Sequence, residues 1–523
     1  MLNACANLAN LMLARAAVRE REIAVRLAIG GSAARIVQQL LIESALLAAA
    51  GAAAALVIAH WLSRGLLVLL TANEPWTYVD IQPDWRVLAF TLGVAAATCL
   101  LFGLAPALRA ARGKPVDALK SGSRSLTAGQ GTFGLRRALI VSQVALSLVL
   151  LVISLLFARS LQNLLGTDPS FRTQGIFVAD LGFARPNPQK LKVLVWQKGL
   201  LEHVGRVPGV TSVADTNVVP LGGMSWSNRV WMGDRNSSTG VDCHWSKISP
   251  GYFRTLGIPF LTGRDFGDRD GPGSRKVAIV NRAFAQRVAL TANPVGLTFR
   301  VEATPSTPET EYEIIGTVGN SKYGNLRETT QPIFYLPLSQ DPVPTLSDQL
   351  LIRSNLPSQS LLPAVRRTIL DADSNAHFEI YNFGDLIRAS LARERLMAML
   401  STMFAGLAVL LSAVGVYGVV TYLVSRRRSE IGVRIALGAN RSTIFGMLCL
   451  ESGKLLLAGL VLGVIVTLGT ATLANKMLFG LTPRDPLALG AAAALLLLIG
   501  LLATFLPAFR AARLNPTAAL REE

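Results

Sequence analysis

The chain has 523 residues, a net formal charge of +18, 51 % hydrophobic residues and only 16 % charged ones, where soluble globular proteins carry about 25 %. Its mean hydropathy is +0.42. These values exclude an ordinary soluble domain, and the positive charge must be located before it is read as a nucleic-acid signal.

In chain order, Leu2–Ala14 is apolar but too short to cross a bilayer. It carries Asn3, Asn7 and Asn10 and lacks the basic start and small-residue cleavage site of a signal peptide, so it reads as the tail end of a helix. Six later runs reach the roughly 20 apolar residues that a bilayer needs: 39–62, 86–108, 136–158, 397–424, 447–470 and 486–508. The segments 14–36, 109–137, 425–441 and 509–523 carry 20 Lys/Arg against six acids, +14 of the total +18, while 71–85 and 479–485 contain no basic residue besides Arg484. Short cytoplasmic loops are enriched in Lys/Arg. This asymmetry puts the four basic segments and the C-terminus inside and 160–392 outside. The charge therefore reports a multi-pass topology in a lipid membrane, and no nucleic-acid partner is expected. Of Cys5, Cys99, Cys243 and Cys449, only Cys243 lies in 160–392, so that domain must fold without an internal disulfide.

The strongest signal is an internal repeat. Glu22-Ile23-Ala24-Val25-Arg26-Leu27-Ala28-Ile29-Gly30 aligns with Glu430-Ile431-Gly432-Val433-Arg434-Ile435-Ala436-Leu437-Gly438, with six identities in nine positions. At the same offset Glu43-Ser44 matches Glu451-Ser452 and Gly51 matches Gly459. Further on, Pro106-Ala107-Leu108-Arg109-Ala110-Ala111-Arg112 matches Pro507-Ala508-Phe509-Arg510-Ala511-Ala512-Arg513. The expected architecture is a membrane α-helical bundle with two copies of a transmembrane cassette and an α+β domain inserted in the second copy. Its parts are a first cassette over 1–120 with two full spans, a span at 136–158, the inserted domain at 160–392, and a second cassette over 397–523 with three spans. The first copy begins at the end of its second helix. An upstream start, a truncated gene and a genuine short form are the alternatives at this point.

Segment 426–445 reads as one short amphipathic helix at the inner face, with Glu430 near its start, Arg441 near its end, and Gly438 and Asn440 able to stop it. Such a helix can simply rest in the headgroups, but its recurrence with Glu and Arg at fixed positions favours docking of a cytosolic partner. Glu43 and Glu451 read as carboxylates opening the next helices, where the helix dipole favours them. Between the spans, expected strands are Gly175–Leu181, Val210–Asp215, Arg275–Val280, Glu313–Val318, Pro332–Leu336, Gln349–Arg353 and His377–Tyr381. Expected helices cover 189–205, 281–289 and 359–371, and a helix at 383–396 is expected to run into the fourth span.

Catalytic chemistry is hard to find. His203, His244 and His377 lack metal-ligand spacing, and Cys243-His244 reads as packing. Asp265, Asp268 and Asp270 resemble a calcium loop without its twelfth-position Glu, so a solvated turn is the better reading. Gly113-Lys114 and Gly453-Lys454 lack the rest of a phosphate-binding loop. No enzyme activity, metal or cofactor is expected, and ATP, if used, must be bound by another chain.

Several blocks resemble the FtsX/MacB superfamily of ABC-transporter permeases. They are Ser429–Ala439, the Pro507–Leu520 tail, Gly251-Tyr252-Phe253-Arg254-Thr255-Leu256-Gly257-Ile258-Pro259 with Gly263-Arg264-Asp265-Phe266, Val277–Asn281, Pro294-Val295-Gly296, Ile314–Val318 and Tyr335-Leu336-Pro337. The duplication resembles the orphan permeases of this superfamily, which lack a fused ATPase. The resemblance implies a MacB-like periplasmic core at 160–392 and mechanotransmission, with a cytosolic ABC ATPase contacting Glu22, Ile23, Val25, Arg26 and Gly30 in one copy and Glu430, Ile431, Val433, Arg434 and Gly438 in the other. Export or lipoprotein and envelope handling is the leading expectation, with a periplasmic or outer-membrane protein and self-association as further partners. The alternatives are an FtsX-like regulator that activates a periplasmic enzyme and a non-functional truncated permease.

Overall fold

The computed structural model describes residues 32–71, 85–99, 130–182, 190–233, 240–305, 307–341, 349–374, 376–437, 439–474, 478–482 and 484–513. The chain divides into a unit formed by 1–163 with 394–523 and a second formed by 164–393. In order, the elements are α1 (Ala33–Thr71), α2 (Trp85–Cys99), α3 (Gln130–Leu165), β1 (Ile176–Gly182), α4 (Lys190–Gly205), β2 (Val210–Thr216), β3 (Ser227–Trp231), β4 (Val241–Ile248), α5 (Tyr252–Leu256), β5 (Phe260–Gly263), β6 (Val277–Asn281), α6 (Arg282–Arg287), β7 (Thr298–Val301), β8 (Thr310–Val318), β9 (Ile333–Pro337), β10 (Gln349–Ser354), α7 (Ser358–Ala372), β11 (His377–Asn382), α8 (Phe383–Ser390), α9 (Ala392–Arg426), α10 (Arg428–Ala436), α11 (Arg441–Ala474) and α12 (Pro486–Ala512).

In the first unit, α3, α9, α11 and α12 are, among the described residues, the four helices identified as long and apolar enough to cross a membrane. They contain the expected runs 136–158, 397–424, 447–470 and 486–508. The run 39–62 lies within α1, and 86–108 is covered by α2 as far as Cys99, its remainder lying outside the described residues. The bundle core interleaves Val144, Leu148 and Val152 of α3 with Ala405, Val409 and Val416 of α9, Leu456 and Leu460 of α11, and Ala492 and Leu496 of α12. Lipid gives helices no hydrophobic reason to associate, so close approach and polar contacts matter more than in water. Both are present. A Cβ on Gly459 would lie 2.6 Å from Val144 Cβ, and one on Gly463 would lie 3.0 Å from the Ala145 carbonyl oxygen, so α3 and α11 touch through bare backbone. Between α3 and α9, Gln143 Nε2 donates to the Leu411 carbonyl at 2.7 Å, Ser147 Oγ to the Ala408 carbonyl at 3.0 Å, and Ser154 Oγ to Thr402 Oγ1 at 3.0 Å. At the Leu165 end of α3, Arg159 pairs with Asp485, and Ser160 Oγ accepts from the Phe479 amide at 2.9 Å. Asp485 also caps α12, accepting from the Leu487 amide at 2.9 Å ahead of a first-position proline.

The second unit is built from one interrupted motif. β1–α4–β2 and β10–α7–β11 form an antiparallel sheet in the order β11–β1–β10–β2, which is the βαββαβ ferredoxin-like arrangement. Leu200 and Val204 of α4 and Leu361, Val365 and Ile369 of α7 cover Phe177, Ala179, Leu350 and Ile352 of its strands. Everything between β2 and β10 is an excursion from this motif. There β4–β3–β7–β8–β6–β9 closes on itself because β9 pairs in parallel with β4, as in Trp245 opposite Phe334. Closure removes the exposed edges of six short strands. The ring is filled by Val230, Cys243, Val280, Phe299, Ile314 and Phe334, with Phe284 of α6 packed among them. β5 adds to β8 next to Gly263 (φ +79°), where a Cβ would lie 2.2 Å from the Ile315 carbonyl oxygen. Only glycine fits there.

All seven expected strands and the three separate helices are present within a few residues. β3, β4, β5 and β7 were not foreseen. The helix expected to run from 383 into the fourth span is two helices, α8 and α9, broken at Leu391. The aspartates of the 263–270 turn are not all solvated. Asp270 is nearly buried and takes Arg264 in a two-pronged ion pair at 2.6 and 2.8 Å, and that guanidinium holds its carboxyl below the usual range. Asp265 accepts from the Gly251 and Phe266 amides, and Asp268 pairs with Lys198 at 2.8 Å. Burial pushes the Asp265 carboxyl up despite its amide donors. Cys243 is buried in the ring, and His244 stacks on Tyr323 with ring centroids 5.0 Å apart.

Candidate functional site

The second copy of the repeated segment forms α10, nine residues long. Isolated helices of that length are marginal, so packing must hold it. Ile431 is fully buried against Ile444 and Leu448 of α11 and Ala508 and Ala511 of α12, with Ile435 partly buried beside it. Ile431 and Ile435 stand one turn apart and make one buried stripe. The two sequence blocks that recur most clearly are therefore in contact, and the alanines of the tail allow the approach. The other side of α10 is open. Glu430, Val433, Arg434 and Leu437 are exposed, Val433 at 43 % and Leu437 at 83 %. Glu430 lies in the first turn and Arg434 in the last, and they pair at 2.5 Å, an i,i+4 arrangement that also suits the helix dipole.

The amphipathic segment is shorter than expected. α10 ends at Ala436, the Leu437 amide donates back to Val433, and the Ala439 amide to Arg434 at 2.9 Å. Arg441 is the first residue of α11, not the end of the amphipathic helix. Gly438 and the first-copy positions Glu22, Ile23, Val25, Arg26 and Gly30 lie outside the described residues.

Glu451 is also corrected. Like Glu43 in α1, it lies ten residues into its helix, α11, roughly 15 Å from the helix start at 1.5 Å per residue, too far for the dipole to explain it. Its carboxylate instead receives Arg137 Nη2 of α3 at 2.9 Å and Arg427 Nη1 at 2.8 Å. Arg427 stands between α9 and α10, and its Nε is 3.9 Å from Glu430. The sequence reading missed both arginines. Arg427 was one of several basic residues after a span, and nothing local ties Arg137 to a carboxylate 314 positions away. Next to α10, Phe505 meets Phe445 edge-on and stacks on Phe509, over which Arg513 sits at 4.1 Å.

Family comparison gives two matches. The model of the FtsX-like permease C-terminal region matches residues 1–115 and again 402–516, and that of the MacB-like periplasmic core domain matches 138–372. Among curated relatives, the probable syringafactin export ATP-binding/permease protein SyfD of Pseudomonas syringae pv. tomato is 25 % identical over 303 residues, covering 55 % of this chain and 43 % of that protein. The macrolide export ATP-binding/permease protein MacB of Acinetobacter baylyi is 28 % identical over 290 residues, covering 53 % and 42 %. The pyoverdine export ATP-binding/permease protein PvdT of Pseudomonas syringae pv. tomato is 25 % identical over 428 residues, covering 79 % and 60 %. The chain thus spans about half the length of the curated relatives it matches. Among solved structures, the periplasmic region of MacB from Actinobacillus actinomycetemcomitans aligns with a TM-score of 0.30 at 14 % identity, covering 44 % of this chain and 97 % of that one. With the FtsX-like matches flanking the MacB-like one and together spanning most of the sequence, the chain belongs to the FtsX/MacB-type superfamily of ABC transporter permeases.

Proposed function

We propose that the protein is the permease of an ABC-type system in which a separate cytosolic ATPase docks on α10 and moves the membrane helices, which in turn drive the inserted domain. The observation that carries this reading is the division of α10 into two faces. Ile431 fastens the helix to α11 and α12, while Val433 and Leu437 are exposed on the other side, with the half-exposed Arg434 between them in sequence and its Nη1 2.9 Å from Met447 Sδ of α11. An exposed apolar pair flanking a cation suits a protein partner. The repeated segment at Glu22–Gly30 is proposed as the equivalent dock of the first cassette copy. The inserted domain is placed on the periplasmic side and the basic segments in the cytoplasm, by the distribution of Lys and Arg. Export or lipoprotein and envelope handling is the proposed task.

The test is purification of the intact complex from native membranes through a tag on this chain. An ATP-hydrolysing partner is expected to co-purify with the wild type and to be lost with Arg434→Glu. Retention of full hydrolysis and full cellular function in Arg434→Glu would refute the docking assignment. Thiol labelling of intact cells at single cysteines placed at 224 and 436 tests the orientation: only position 224 should react with an impermeant reagent.

A further inference from the structure

Three helices meet at the carboxylate of Glu451. Arg137 reaches it from α3, and Arg427 from the junction where α9 hands over to α10, while Glu451 itself belongs to α11. Its side chain is 20 % exposed. A carboxylate and two guanidiniums partly withdrawn from water are costly unless each keeps its partners, so such a group fixes geometry more than it adds stability. Part of the arrangement recurs in the first copy. At the 408-residue offset of the repeat, Arg19 corresponds to Arg427, Glu22 to Glu430, Arg26 to Arg434 and Glu43 to Glu451. These four positions keep their charge sign, whereas Glu20 stands opposite Arg428, and the alignment offers no counterpart of Arg137.

We propose that Glu451 is a positioning residue that makes the α9–α10 junction, α3 and α11 move as one piece. The inference rests on α10 being the dock for the ATPase. A push on α10 reaches Arg427 at once. Through Glu451 it is shared with α3, so the two helices whose chains continue into the inserted domain, α3 and α9, receive it together. Backbone connection alone would deliver it to α9 and α11 only. The hydrogen bonds from Gln143, Ser147 and Ser154 then keep α3 and α9 in register along their length.

The test uses the full chain in lipid nanodiscs, with the native cysteines replaced and spin labels at the exposed positions 138 and 436. Pulsed electron resonance should give one narrow distance in the wild type. Glu451→Gln should broaden it, Glu451→Asp should broaden it less, and Arg137→Gln with Arg427→Gln together should do no more than Glu451→Gln alone. A distance unchanged in Glu451→Gln, or arginine effects that add to it in the triple variant, would overturn the proposal. If Glu451→Gln is not monodisperse, Arg137→Gln carries the same test. ATP hydrolysis by the purified complex separates the two ideas. If Arg434→Glu leaves hydrolysis intact while Glu451→Gln broadens the distance, the docking reading fails and the joint stands. If Arg434→Glu abolishes hydrolysis while the distance is indifferent to Glu451, the joint fails and the dock stands.

Discussion

Ile431 is the residue on which α10 depends, and Ile431→Ala measures that dependence. The side chain is fully buried among Ile444, Leu448, Ala508 and Ala511. Truncating a buried isoleucine to alanine costs about 2–5 kcal/mol, depending on how far the site collapses. Ala508 and Ala511 have no side-chain length with which to fill the gap, so about 3 kcal/mol is the working figure. A nine-residue helix has little intrinsic stability to set against that loss. The population of locally detached α10 should therefore rise by about two orders of magnitude, at 1.4 kcal/mol per decade. Hydrogen exchange of the Ile431, Leu437 and Ala439 amides, which bond to Arg427, Val433 and Arg434, reads that population directly. Leu437→Ala is the control. It removes an exposed side chain, so exchange should hold while ATPase co-purification falls. Unchanged exchange in Ile431→Ala, or faster exchange in Leu437→Ala, would show that α10 is not held in the way its burial indicates.

Four further outcomes follow from the packing and the charges. Gly459→Leu must push α3 from α11, because even its Cβ would meet Val144 at 2.6 Å; overpacking of this kind costs about 1–3 kcal/mol, read as a lower melting temperature in detergent. Gln143→Met should be nearly neutral although it deletes the bond to Leu411, because Gln143 Oε1 is buried without a hydrogen-bond partner and that cost disappears too; Ser147→Ala, by contrast, should cost about 0.6 kcal/mol. Asp270→Asn should destabilise the inserted domain at neutral pH by a few kcal/mol, the lower part of the roughly 3–5 kcal/mol for breaking a buried pair, since Arg264 is partly solvated. The pH dependence has opposite signs at the neighbouring carboxylates. The folded pKa of Asp270 is depressed, so its stabilisation is present above the ordinary aspartate pKa and fades as acid is added. The folded pKa of Asp265 is raised, so protonation there favours folding as pH falls. Acid titration of the domain's melting temperature should flatten in Asp270→Asn and steepen in Asp265→Asn.

The membrane helices α3, α9, α11 and α12 were legible because length and apolar content suffice to find them. The α+β character of the insert was legible from runs such as Val277–Asn281. What escaped notice depends on partners distant in sequence. β3 and β7 are short and interrupted by arginine, and β4 mixes Asp242, His244, Ser246 and Lys247 with Val241, Cys243, Trp245 and Ile248, with the alternation broken at Lys247. Their strand character comes from ring closure, in which β4 pairs with β9 some 90 residues later. The break at Leu391 has no glycine or proline to announce it. Glu451 was misread because a hydropathy run marks where a helix turns apolar, not where it begins, and α11 starts at Arg441.

The repeat itself can now be sorted by physical cause. Of the described identical positions in α10, Ile431 is kept by burial, and Glu430 and Arg434 by their mutual ion pair. Ala508 and Ala511, matched by Ala107 and Ala110, allow α12 to approach Ile431. Glu451 is accounted for by its two arginines. Val433, identical to Val25, has no such cause. It is an apolar side chain left 43 % exposed on the side of α10 away from the bundle, with Leu437 one turn further on at 83 %. Among the described residues, packing and pairing require nothing of that position, and an exposed β-branched residue slightly weakens a short helix. An identity that the described residues do not use, on a face that they leave exposed, is what the proposed dock would account for.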